Sequence, residues 1–310
     1  MYIPSFFRQF PALLLAISTF AACRIPSPVL ENSPSQTESS SVDSSDSSDF
    51  SDFSSDFSGD FSSDSSSNPP APPASEQPPE LDSSVFWDVT DVDISYVNPN
   101  KKLIAFTFDD APSKTLESVL AVFTAYNQTS PTCKATATLF CNGIRINSAA
   151  KQLLSAAHAL KFELGNHSHS HTDLTTLSNF DLQWETDATD ALLYQIDGKS
   201  RHLFRAPFGK INEHVRSYAH TPIIDWTIDT LDWTNATAEE IYERVWSQKF
   251  SGAIVLMHDG YPSTVEALKR LLPDLRDAGY QAVSVSAMAK AHECPLRRGG
   301  VYIRARKKRS

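Results

Sequence analysis

The chain is poor in cysteine and in apolar runs long enough to cross a membrane, and each shortage excludes something. Four cysteines occur in 310 residues, at positions 23, 133, 141 and 294. Cys23 stands alone near the N-terminus, and three is an odd number, so no disulfide framework organises the fold. Cys133 and Cys141 flank Ala135–Phe140, whose pattern predicts a strand. An extended strand of that length holds its ends roughly 20 Å apart, whereas a disulfide needs Cα atoms within about 7 Å. Those two thiols are not expected to bridge each other, and Cys294 can pair with either only if the fold brings it near. The early apolar stretch, Phe10–Ile17, is shorter than the roughly 20 residues that span a bilayer. Arg8 is the only charge before it, and the small residues Ala21 and Ala22 precede Cys23. That arrangement predicts an export signal over residues 1–22 in place of a transmembrane helix.

Positive charge is missing from a long segment. From Ile25 to Asn100 there are fifteen acidic residues and no Lys or Arg. Residues 23–84 repeat Ser, Asp and Phe and then run into proline. Such a segment cannot bury enough apolar surface to offset its ordering entropy, so a disordered linker is expected there. About 60 flexible residues span roughly 40 Å, and self-repulsion lengthens that. Phe20-Ala21-Ala22-Cys23 is similar to a bacterial lipobox, which implies lipid modification of Cys23 and a membrane anchor on an exported, cell-surface protein. The overall charge is −10. Seven basic residues lie between Arg297 and Arg309, so residues 295–310 read as a basic tail able to contact an anionic cell wall. The intervening domain, residues 85–294, is itself modestly acidic, which argues against nucleic acid as a partner.

About 210 residues suffice for one sizeable core. Short apolar runs at Leu103–Phe108, Ala135–Phe140, Phe162–Gly165, His202–Phe204, Pro222–Trp226, Ala253–Met257 and Gln281–Val285 predict strands. Amphipathic patterns at Glu117–Tyr126, Asn147–Leu160 and Leu182–Ile196 predict helices. Thr237–Glu240 and Ser263–Glu266 have the capping-box spacing that opens two more. Seven alternations imply a parallel sheet with helices outside, and hence an α/β barrel with its chemistry at the C-terminal strand ends.

The chemistry concentrates in two motifs. Thr107-Phe108-Asp109-Asp110 ends an apolar run with adjacent carboxylates, and His167-Ser168-His169-Ser170-His171 spaces imidazoles along one segment. Together they offer three ligands to a divalent ion and one spare carboxylate as general base; three protein ligands leave a position open for water. If the second motif is a helical turn, His167 and His171 share a face. If it is extended, His167, His169 and His171 share one and a three-His site is possible.

With Arg205-Ala206-Pro207-Phe208-Gly209, Asp229-Thr230-Leu231-Asp232-Trp233 and Leu256-Met257-His258, these motifs resemble, in order and over residues 100–290, the polysaccharide deacetylases of carbohydrate esterase family 4. The resemblance implies a distorted (β/α)7-8 barrel of the polysaccharide deacetylase type. It implies Asp109 as general base, Asp110, His167 and His171 as metal ligands, and Arg205 as the cation that holds the base. It implies the Phe208 N–H as oxyanion donor, Asp232 as the carboxylate that tunes the histidine, Trp233 and Leu256 as acetyl-pocket walls, and His258 as general acid. One divalent ion is implied, Zn²⁺ first and Co²⁺ or Ni²⁺ as alternatives. The substrate implied is an N-acetylglucosamine-containing polysaccharide, with peptidoglycan favoured for an anchored exported bacterial protein. An acetylxylan-type O-deacetylase and a non-catalytic glycan-binding lipoprotein are the alternatives. Ala111 stands where the family usually has Gly, which would strain the loop if that position needs a positive φ.

Overall fold

The computed structural model describes residues 86–306. The export signal, Cys23, the linker over residues 23–84 and the last four residues, three of them basic, lie outside the described residues.

The organising element is β1 (Lys102–Ala111), which pairs in parallel with β2 (Thr138–Cys141), β6 (Ile254–His258) and β7 (Tyr280–Val283). Its near-continuous apolar sequence fits a strand covered on both faces. Ile104, Phe106 and Phe108 join the outer core, against α1 (Leu116–Thr129), α5 (Ala238–Gln248) and α6 (Pro262–Asp277). Leu103 and Ala105 join the inner core with Phe140, Ile224 and Val283. Alternation along a strand then places Thr107 and Asp109 on the inner face, above that core.

The strands close a ring. From β1 it runs through β2 to β3 (Glu163–Asn166). Phe204 then bridges Asn166 on one side and Ile223 on the other, where β4 (Ile223–Ile224) begins. β4 pairs with β8 (Val301–Tyr302), Arg304 bridges Ala253, and β6 returns to β1. β5 (Ile228–Asp229) pairs with β6 inside this circuit. The helices α2 (Ser148–Ala159), α3 (Asn179–Asp197), α4 (Glu213–Tyr218) and α7 (Val285–Ala291) complete the α/β alternation.

Several expectations change. The strand expected at His202–Phe204 is a single bridge at Phe204, and β5 and β8 are strands that the pattern did not announce. Thr237 and Glu240 form the reciprocal capping box at α5. The Ser263–Glu266 box does not form: α6 starts at Pro262, whose missing N–H suits a first helical position, so Ser263 is already inside the helix. Gln281–Val285 divides, with Ser284 capping α7. The domain does not stop at Cys294, and residues 295–306 are not a free tail. Leu296 and Ala305 are buried, and β8 supplies the ring with a strand. Apolar residues interleaved with the arginines explain this; reading charge alone missed them. Cys133, Cys141 and Cys294 are free thiols.

Candidate metal centre and active site

Asp109 is buried, and its Oδ1 accepts a 2.7 Å hydrogen bond from Arg205 Nη1. The same guanidinium donates to the Thr107 hydroxyl and to the carbonyls of Ile224 and Asp225, and lies 4.2 Å from the centre of the Phe140 ring. Arg205 is thus fully engaged, and its fixed position fixes the Asp109 carboxylate. Burial presses the Asp109 pKa upward, but Arg205 first, then His167 and His258, hold it below the usual carboxylate value.

In a regular strand Asp109 and Asp110 would face opposite sides. Here the register against β2 slips between Phe108 and Ala111, and Asp110 takes φ 61°. Such a bulge re-aims side chains, and both carboxylates reach the same site. Ala111 itself has no positive φ; the left-handed residue is Asp110, so Ala in place of Gly costs nothing of that kind.

The His167–His171 segment is neither helix nor strand. It is a loop in which Ser168 and His171 have φ of 65° and 58°. These turns bring His171 Nε2 to 3.4 Å and His167 Nε2 to 3.9 Å from Asp110 Oδ1. The three residues offer ligand atoms within 4.8 Å of one another. His167 Nδ1 lies 2.8 Å from the Arg205 carbonyl, so it donates there and leaves Nε2 free as a ligand. Burial, and then His167, lower the His171 pKa and favour its neutral, ligating form. Asp110 Oδ1 is buried without a hydrogen-bond partner, although it faces both imidazoles. An orphaned acceptor between two nitrogen ligands fits a cation. His169 is not part of the group. Its ring packs edge-on against Trp184, 4.7 Å away, so the three-His alternative fails on geometry.

His258 ends β6 and is the register partner of Asp109. Its Nδ1 lies 2.8 Å from Asp232 Oδ1, while its backbone N–H and the Thr264 hydroxyl donate to Asp232 Oδ2. Burial opposes the charged imidazole, yet Asp232 first, with Asp109 and Asp110, raises its pKa to about 9. Leu256 is buried two residues earlier on β6, while Trp233 and Phe208 stand more than half exposed. Phe208 has φ 60° and sets its ring edge-on to His171. Asp109, Asp110, His167, His171, Arg205, Asp232 and His258 stand together at these strand ends. A cleft of about 790 Å³ lies elsewhere, between α1 and α6.

Four supporting groups were not foreseen. Glu185 and Asp190 are buried on α3 and bind the ligand loop and Asn166. His202 is buried between Asp190 and Asp197. Asp259 accepts from the Ser113 N–H and ties the loop after β1 to the end of β6; burial raises its pKa to about 6. A signal existed for the α3 pair: Leu182, Glu185, Thr189, Asp190 and Leu193 follow the core-facing helical period, and carboxylates at such positions need donors.

The sequence profile of the polysaccharide deacetylase family matches residues 96–221. The peptidoglycan-N-acetylglucosamine deacetylase of Bacillus cereus is 36% identical over 204 residues, which cover 62% of this chain and 90% of that one. The peptidoglycan-N-acetylmuramic acid deacetylase PdaC of Bacillus subtilis is 34% identical over 193 residues, covering 62% of this chain but 40% of that protein. Among solved structures, a family 4 acetyl xylan esterase from Clostridium thermocellum, in complex with a cobalt ion, matches with TM-score 0.61 and 26% identity, over 66% of this chain and 98% of that one. Sequence, fold and relatives agree, and the chain belongs to the polysaccharide deacetylase family.

Proposed function

We propose that the protein is a metal-dependent deacetylase that removes N-acetyl groups from N-acetylglucosamine residues of peptidoglycan. The observation that carries this reading is the placement of a fixed carboxylate, Asp109, and a raised-pKa imidazole, His258, beside the Asp110–His167–His171 group. The relatives named for peptidoglycan support the substrate. Asp110, His167 and His171 hold the ion, with Zn²⁺ preferred and Co²⁺ or Ni²⁺ compatible with mixed carboxylate and imidazole ligands. When bound, the ion acidifies a water and polarises the acyl carbonyl. Asp109, ionised and held by Arg205, takes the proton of the attacking water. The Phe208 N–H stabilises the developing oxyanion. His258, kept protonated by Asp232, gives its proton to the departing amine, since an unprotonated amide nitrogen leaves poorly. Trp233 and Leu256 wall the acetyl group.

A second reading, O-deacetylation of acetylated xylan, is favoured by the likeness to the acetyl xylan esterase. Acetate release from peptidoglycan, chitooligosaccharide and acetylxylan, each with added Zn²⁺ and with chelator, separates the two. Mass analysis of the peptidoglycan product then tells glucosamine from muramic acid as the sugar released. Activity confined to acetylxylan, or undiminished by chelator, would overturn the proposal. We also place the protein at the bacterial cell surface, anchored through lipidated Cys23, with the basic residues between Arg297 and Arg309 as its contact to the anionic wall. Fatty-acid labelling that persists in Cys23→Ala would remove the anchor from this account.

A further inference from the structure

Four consecutive N–H groups of the ligand loop, from Ser168 to His171, are all bound by side-chain oxygens. Asn166 Oδ1 accepts from the Ser168 N–H at 2.9 Å, and the Ser168 hydroxyl accepts from the His171 N–H at 3.2 Å. The two between them, on His169 and Ser170, both donate to Glu185 Oε2 at 2.8 Å. Glu185 Oε1 also accepts from the Ser170 hydroxyl. Glu185 is therefore the one acceptor in this set that comes from a separate helix, since Asn166 immediately precedes the loop and Ser168 belongs to it. It sits on α3, is 5% exposed, and makes no ion pair with a cation among the described residues. On the opposite edge the Ser168 and His169 carbonyls accept from the backbone of Gly143 and Ile144. The clamped pair lies between two non-glycine residues in the left-handed region, Ser168 and His171, a backbone that persists only when its surroundings over-determine it.

We propose that Glu185 is a positioning residue for the metal centre: by holding the His169 and Ser170 N–H groups it fixes the turn that swings His171 toward Asp110 and His167. The proposal rests on the metal-site reading above. It concerns acceptors and not charge. A glutamine at 185 keeps one oxygen for both N–H groups and turns its amide nitrogen to the Ser170 hydroxyl, which can accept. Alanine removes both acceptors, and methionine removes them while filling nearly the same volume. Outer partners of metal ligands typically change metal affinity about 10- to 100-fold.

The test is Zn²⁺ affinity by competition with a chromophoric chelator, together with the visible absorption of the Co²⁺-loaded protein. Folding of each variant is followed by circular dichroism. Glu185→Ala and Glu185→Met are expected to bind Zn²⁺ at least about 10-fold more weakly than wild type and to alter the Co²⁺ spectrum, which reports ligand geometry. Glu185→Gln is expected to stay within about 3-fold of wild type with an unchanged spectrum, as exchange of one acceptor for another implies. Thr189→Val, buried on the same helix without contact to the loop N–H groups, serves as the packing control and is expected to bind as wild type does. A folded Glu185→Met protein with wild-type affinity and spectrum overturns the proposal, even where the alanine variant does not fold. Loss in Thr189→Val equal to that in Glu185→Met also overturns it, since general loosening of α3 would then suffice. Wild-type protein that binds no Zn²⁺ sinks the metal-site reading itself, a separate outcome.

Discussion

His169 and His171 are two residues apart and have opposite surroundings. His171 points its Nε2 at Asp110, while His169 turns into a contact with Trp184. His171→Ala is therefore expected to abolish stoichiometric metal binding, and His169→Ala to leave it nearly intact. Metal analysis of both purified proteins decides this; loss in the His169 variant would restore the three-His site. A second residue-scale prediction concerns pH. Asp109 must be ionised to act as a base, so its contribution is lost as pH falls through its lowered pKa. His258 must be protonated to act as an acid, so its contribution is lost as pH rises through about 9. Asp232 is the main cause of that raised value, and Asp232→Asn should move the alkaline limb of the rate profile to lower pH. An alkaline limb unmoved in that variant would detach His258 protonation from the rate. At this scale the residues that the structure brings together around Asp110 were legible, because they lie in short ordered motifs. The supports were less so: Glu185, Asp190 and Asp259 act through backbone and amide contacts whose partners depend on how α3 and the strand-end loops pack.

At the scale of elements, the site depends on how closely neighbouring strands approach. Gly165 on β3 is the register partner of Phe140 on β2. A Cβ at position 165 would stand 2.6 Å from the Phe140 ring, which also supports the Arg205 guanidinium. Gly165→Ala should force that ring to move and destabilise the protein by about 1–3 kcal/mol, the usual cost of overpacking a core. Thermal or urea unfolding measures it; unchanged stability would mean the ring has room to yield. β1 and α3 were legible because burial imposes a sustained apolar run on the one and a helical period on the other, whereas α6 was announced by a cap that does not form. β4, β5 and β8 have two residues each, too few to show alternation, and β5 and β8 passed unread. The bulge at Asp110 was also invisible. Adjacent carboxylates announce chemistry, but only the slipped register against β2 shows how both reach one face.

At the scale of the whole fold, the ring of strands closes, among the described residues, through residues that look like a basic tail. Val301 and Tyr302 pair with Ile223 and Ile224, the Ala305 N–H donates to the Gly252 carbonyl, and the Trp87 N–H donates to the Leu296 carbonyl. β4 in turn supports the site, since the Ile224 carbonyl accepts from Arg205 Nε and Arg205 holds Asp109. The chain from closure to chemistry is short: β8, β4, Arg205, Asp109. Truncation after Cys294 removes β8, uncovers both edges at the gap and leaves the Ile223 and Asp225 N–H groups without the Gly300 and Tyr302 carbonyls they donate to, a loss that buried amides do not tolerate. The truncated protein is expected to melt well below the full chain or to lose its cooperative transition, with metal affinity and acetate release falling together. Deletion of residues 307–310 alone provides the comparison, and is expected to leave the melting temperature unchanged. If truncation after Cys294 also left melting and acetate release unchanged, residues 295–306 would be a covering laid on a ring already complete, and Arg205 would owe its position to the inner core alone.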